Sequence, residues 1–212
     1  VREAGGGPAR RAIAVVVAER LVDLLAVFAL AALGSYAFPQ LRVVAWVSLA
    51  LAVLGIGFLA WPRMVEWLIA VLGRIRPLAD KVGMLRDIQQ HLRVLLSPPL
   101  LALGLLLGMV AWGAEGLGFA LVVESYSPGA PWLAGVFSYS LGSLVGGLTM
   151  LPGGLLATEG TLAGLLAIQG LDAATAASAT MIVRLATLWV AVVLGLLALP
   201  FVWRTVAARG RG

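Results

Sequence analysis

The sequence predicts an all-α protein built as a polytopic transmembrane helical bundle. Three observations carry that prediction. Hydrophobic residues make up 61% of the chain and charged residues 12%, with a mean hydropathy of +1.03, which leaves too little polar surface to cover a water-soluble domain. Apolar runs of about 20 residues, the length that crosses a hydrocarbon core as a helix, recur along the chain. The basic residues fall between those runs, where they act as topology signals. That placement argues against nucleic acid as the meaning of the +5 charge and the pI near 10.7. Cysteine is absent, so disulfides, thiolate chemistry and cysteine-based metal sites are excluded.

The first span is expected over residues 12–33, after Arg10 and Arg11. It is longer than a signal-peptide core and no small-residue cleavage site follows it, so it is expected to stay. A short segment with Pro39 and Arg42 leads to a second span over residues 43–61. Over residues 63–97, Arg63, Arg74, Arg76, Lys81, Arg86 and Arg93 alternate with Leu68, Leu72, Ile75, Leu78, Val82, Leu85, Leu92 and Leu95 at helical spacing. Such a basic amphipathic stretch, divided by Pro77 and Gly83, is expected on the cytoplasmic membrane surface. Partner-helix binding is the lesser alternative.

Pro98 and Pro99 open a third span over residues 99–123, closed by Glu124, Ser125, Tyr126 and Pro128. Then come residues 132–151, the break Pro152-Gly153-Gly154, an arm over 154–169 and a last span over 175–200, followed by Arg204, Arg209 and Arg211. Counting basic residues puts both chain ends and residues 63–97 in the cytoplasm and Arg42 alone outside. Two crossings or one re-entrant hairpin over residues 132–169 satisfy that parity alike, and the short second arm favours re-entry. Backbone at the break cannot complete helical hydrogen bonds, so at membrane depth it is expected to face protein or a wet cavity. Gly104/Gly108, Gly142/Gly146 and Gly160/Gly164 are small residues four apart that would let helices approach closely.

Ionisable residues inside the apolar runs are the candidate site: Glu19, Arg20 and Asp23 in the first span, Glu115 in the third, Glu159 after the break and Arg184 in the last. Each costs roughly 2.5–3.5 kcal/mol near a helix centre if unpaired, so pairing or water must compensate. At about 1.5 Å per residue, Glu115, Arg184 and Glu159 come to about 12, 14 and 15 Å below the outer ends of their helices. That common level predicts Arg184 held between Glu115 and Glu159 beside Pro152-Gly153-Gly154. Glu19, Arg20 and Asp23 lie about 11–17 Å from the cytoplasmic end of theirs, a second polar level. Two such levels suit a headgroup path with the lipid tails left in the bilayer. The alternative is that all are internal ion pairs that fix helix register.

Other residues point to structure. His91, the sole histidine, is expected on a solvated face. Trp61, Trp67, Trp132 and Trp203 read as interface anchors, while Trp112 and Trp189 lie deeper, with core packing ahead of contact with the polar level. Ser138, Ser140, Ser143 and Thr149 can satisfy backbone groups. No phosphate-binding glycine loop, paired-histidine zinc motif or serine elbow occurs, so neither cofactor, metal nor catalytic residue is expected.

Four stretches together resemble a known family: Glu19-Arg20-Leu21-Val22-Asp23; Trp112 with Glu115; Leu151-Pro152-Gly153-Gly154 followed by Glu159-Gly160; and Arg184 with Trp189 and Gly195. The chain is similar over nearly its whole length to the transmembrane region of lysylphosphatidylglycerol synthases, the flippase-like module of multiple peptide resistance proteins and of stand-alone bacterial membrane proteins. The resemblance implies a helical bundle with re-entrant elements that moves or binds an amphipathic lipid, such as an aminoacylated phosphatidylglycerol or a lipid-linked sugar. It also implies further N-terminal spans, so the chain, opening on Val1-Arg2-Glu3, is expected to be truncated. Only about a dozen residues follow Pro200, so the cytosolic aminoacyl-transferase domain of bifunctional relatives and synthase activity are not expected.

The function read from this is lipid translocation or binding by a single membrane domain over residues 1–212. A membrane-embedded transferase and an accessory scaffold for a separate synthase or glycosyltransferase are the alternatives. Partners are a membrane phospholipid or lipid-linked substrate, with self-association left open. Arg supplies 14 of the 15 basic residues, which with abundant Ala and Gly suggests a GC-rich bacterial genome, and the bacterial cytoplasmic membrane is the expected location.

Overall fold

A computed structural model of the chain describes residues 8–72, 82–149 and 151–209, and among these the backbone is nearly all helix with no strand. Helices satisfy their own backbone groups, which is what a segment without water around it requires. In chain order they are α1 (Pro8–Gly34), α2 (Arg42–Ala60), α3 (Pro62–Leu72), α4 (Val82–Leu95), α5 (Pro98–Tyr126), α6 (Trp132–Leu148), α7 (Ala157–Ile168), α8 (Ala173–Arg184) and α9 (Val190–Arg209). The expected Arg74, Ile75, Arg76, Pro77, Leu78 and Lys81 of the amphipathic stretch lie outside the described residues, as do Val1-Arg2-Glu3, Arg211 and the side chains of Leu72, Arg204 and Arg209.

Among the described residues three helical stretches are long and apolar enough to cross a membrane: Pro39–Ala60, Pro98–Tyr126 and Ala173–Phe201. Only 11% of each apolar window is buried within the chain, so their side chains turn mainly outward, as surfaces wetted by lipid do. The expected first span falls on α1, which is 27 residues long; Glu19, Arg20 and Asp23 interrupt its apolar run and keep it out of that set. Trp132–Leu148 and Pro152–Ile168 are shorter apolar helices.

The chain divides into two compact units, Val1–Ala114 and Glu115–Gly212. In the first, Ala14, Ala18 and Leu25 of α1, Ile56 of α2, Leu92 of α4 and Leu96 form one buried cluster, onto which Ile88, Leu95, Leu101 and Leu105 pack. The apolar stripe of α4 therefore meets α1 and α2, where a membrane surface was expected to cover it. Ala14 and Ala18 are small enough to admit a helix there, and Arg10 pairs with Asp87 at the edge of the contact. The first part of α5 lies close against α1, where a methyl group on Gly104 would meet Val22 at 3.2 Å and one on Gly108 would meet Ala26 at 3.0 Å.

In the second unit α6 and α7 form an antiparallel helical hairpin. Its register is marked by Gln169, whose amide donates to Ser138 at 3.3 Å, and by Gly142 and Gly146, which lie against Leu162 and Thr158. Thus two of the three expected glycine pairs mediate close contacts, whereas Gly160 and Gly164 have nothing within 4 Å of an added methyl group. The closest approach to a backbone is one the spacing rule passes over: a methyl group on Gly135 would lie 2.6 Å from the Ala120 backbone. Phe119, Val123, Phe137, Leu162, Leu166, Ala179 and Val183 fill the core between these helices.

Candidate functional site

The turn between α6 and α7 creates the geometry of the main cluster. Thr149 caps α6 by donating to the Gly146 carbonyl at 2.7 Å, and Pro152–Gly154 then form a short 3-10 turn. Gly153 and Gly154 hold φ of +64 and +63, conformations that cost an L side chain energy. Space also excludes one, because an added methyl group at Gly154 would meet the Gly146 backbone at 2.9 Å. Leu156 follows with φ of +68, and α7 starts in time to place Glu159 in its first turn.

Arg184 ends α8 and is buried, at 7% exposure. Its Nε donates to Glu159 Oε1 at 2.6 Å and its Nη2 to the Gly153 carbonyl at 2.5 Å. One arginine thus answers both problems that the break creates, an unpaired carbonyl and a carboxylate drawn away from water. Glu159 Oε2 is buried with no hydrogen-bond partner among the described residues. After Arg184 the helix widens into a π turn over Leu185–Trp189, a deviation common at functional sites. Leu188 packs against Gly153 there.

Glu115 belongs to the same unit but has a different partner from the expected one. Tyr139 of α6, itself buried, donates its hydroxyl to Glu115 Oε2 at 2.5 Å, and among the described residues no ion pair joins Glu115 to Arg184. Tyr139 is the member of the cluster that the sequence reading missed. The break faces inward only in part: Gly154 is buried, and Pro152 and Gly153 are exposed while the Gly153 carbonyl is bonded.

In the first unit Arg20 lies 3.1 Å from Glu19 and 3.5 Å from Asp23, and the Trp112 indole donates to Asp23 at 3.2 Å. Trp112 therefore serves this polar level, contrary to the core packing expected of it. Trp189 is 48% exposed and is not a core residue either. Glu19 and Asp23 line a groove of about 440 Å³ together with Val15, Val22, Leu100 and Leu107. Among the described residues no group of three or more His, Cys, Asp or Glu side chains is placed to hold a metal.

Residues 1–195 match the family described as the lysylphosphatidylglycerol synthase TM region. The chain belongs to that family. A UPF0104 membrane protein of Methanothermobacter thermautotrophicus is a relative, 24% identical over 157 residues that make up 71% of this chain. The match spans 46% of that relative, so the chain corresponds to about half its length. No solved structure matches. The protein is accordingly a membrane protein of the lysylphosphatidylglycerol synthase transmembrane-region family, and that membership is consistent with a role on membrane lipids.

Proposed function

We propose that this chain is a lipid-handling module of the bacterial cytoplasmic membrane that binds an amphipathic lipid and passes its headgroup across the bilayer, without catalysing a covalent step. The observation that carries this reading is the buried Arg184 and Glu159 pair, tied to the open carbonyl of an interrupted helix. Ionised groups inside apolar helices are costly and mark substrate paths. With every group ionised, the cluster of Arg184, Glu159 and Glu115 carries a formal charge of about −1, as does that of Arg20, Glu19 and Asp23. Each offers an arginine to a phosphate and a carboxylate to an amine, the pairing that an aminoacylated phosphatidylglycerol presents.

In this reading α6 and α7 form the re-entrant hairpin. The 12 residues of α7 span about 18 Å, short of a hydrocarbon core of about 30 Å. Both chain ends then lie in the cytoplasm. The test is transport of labelled aminoacylated phosphatidylglycerol in reconstituted vesicles, comparing the parent with E159Q and R184Q. Loss of transport in variants that insert normally supports the reading. Transport at the parent rate, or formation of a new lipid product by the purified chain, overturns it.

A further inference from the structure

A second groove, which shares Val15 and Leu95 with the one beside Glu19 and Asp23, lies between α1 and α4 in the first unit. It has a volume of about 410 Å³ and is lined by Arg11, Val15, Gln90, His91, Val94 and Leu95, a size within the range of roughly 300–1,000 Å³ typical of small-molecule sites. Its lining is ordered along the helices. Val15 follows Arg11 on α1, and Val94 and Leu95 follow Gln90 and His91 on α4, each four residues or about 6 Å further along its helix. The surface of the groove is thus mainly apolar, with its few polar side chains gathered at one end. Val15 and Val94 are 51% and 65% exposed within the chain.

Among the described residues of α1 and α4, the charges leave the end with the polar side chains cationic. Asp87 is the only acid on α4, and it pairs with Arg10. The acids of α1, Glu19 and Asp23, pair with Arg20. No described carboxylate pairs with Arg11. The His91 ring is fixed as a wall by the bond from Nδ1 to the Asp87 carbonyl at 2.7 Å, and Gln90 contributes an amide donor. Basic pockets between helices at the membrane border recognise anionic headgroups.

From this we infer that the groove holds an anionic phospholipid of the surrounding leaflet, its phosphate on Arg11 and Gln90 and the start of an acyl chain along Val15, Val94 and Leu95. This is a resident lipid and not the transported one, so the inference stands independently of the transport reading. It also accounts for a basic helix that turns its apolar stripe to protein. The bound lipid seals the outer edge of the α1 and α4 contact.

The experiment is native mass spectrometry of the full chain, delipidated in detergent and resupplied with phosphatidylglycerol and phosphatidylcholine in equal amounts. The parent is expected to retain phosphatidylglycerol preferentially. R11Q should lower that preference about tenfold, the worth of one charge-assisted hydrogen bond, and R11K should keep most of it. V94W, which fills the apolar end, should lower retention as well. R86Q, an exposed arginine of the same helix outside the groove, should leave it unchanged. Equal loss in R11Q and R86Q would reduce the effect to general surface charge and overturn the inference. So would undiminished retention in V94W, or displacement of the lipid by soluble glycerol phosphate, which has the phosphate and no tail. Helix content by circular dichroism accompanies each variant, and R11K against R11Q decides the matter should V94W misfold.

Discussion

Arg184 and Glu159 stand 25 positions apart in the chain, and their side chains meet at 2.6 Å. The pair joins α8 to α7, and the second bond of Arg184, to the Gly153 carbonyl, joins α8 to the turn as well. Three parts of the second unit therefore depend on one guanidinium.

Removing either partner should be expensive. The side chains are 9% and 17% exposed, so a lone charge would be left away from water, at a cost of about 3–5 kcal/mol. R184Q and E159Q should each melt well below the parent in detergent, and the swapped double variant R184E/E159R should recover part of the loss. Single variants that melt with the parent would show that the pair does not hold the fold.

Tyr139 should matter to Glu115 more than its neutral character suggests. Y139F keeps the ring and its packing near Phe119 but leaves the Glu115 carboxylate without its donor, which costs about 1–3 kcal/mol. Thermal melting of Y139F against Y139F/E115Q tests this. The second change should restore most of the loss, because a neutral side chain is cheaper to leave unpaired.

Two glycines of the same segment should respond in opposite ways. G154A places a methyl group against the Gly146 backbone at a positive φ and should destabilise by more than about 1–2 kcal/mol, the backbone cost alone. G160A, with nothing within 4 Å, should be neutral or stabilise α7 by up to about 1 kcal/mol. Comparable losses in both would mean that the turn is less tightly built than its contacts indicate.

The helices and the main ion pair could be read from the amino acids because both depend on quantities that run along the chain. Apolar length marks α2, α5 and the stretch from α8 into α9, and counting rise per residue brought Arg184 and Glu159 to one level. The same count put Glu115 at that level but could not tell which way it points. Height follows from residue number, whereas bearing must come from an asymmetry around the helix, and α5 is apolar on every side. Tyr139 was hidden for a related reason, as an uncharged residue in an apolar run. Its signal lay in the need for Glu115 to find a donor when no second arginine was in reach. The fate of α4 was legible in its stripe, but the stripe is equally suited to lipid and to the alanines of α1.

Asp172 should give α8 a pH-dependent start. Its carboxylate accepts from the Thr175 hydroxyl at 2.6 Å and from the backbone N–H groups of Ala174 and Thr175. The Thr175 hydroxyl first, and then these N–H groups, hold its pKa below the usual carboxylate range. The cap is therefore complete above the unfolded-state pKa and is lost as pH falls through the lower folded-state value. Hydrogen exchange at Ala174 and Thr175 should quicken over that acidic window in the parent. D172A should exchange fast at every pH, and a step that persists in D172A would assign it to another group.

The π turn at Leu185–Trp189 gives the last long helix an extra residue at the place where it leaves Arg184. Winding the same residues at ordinary pitch would rotate α9 by about 100° about its axis without touching the ion pair. The helix is thus geared: its inner half is clamped by charge, and its outer half can be re-aimed in the bilayer by a change of winding alone.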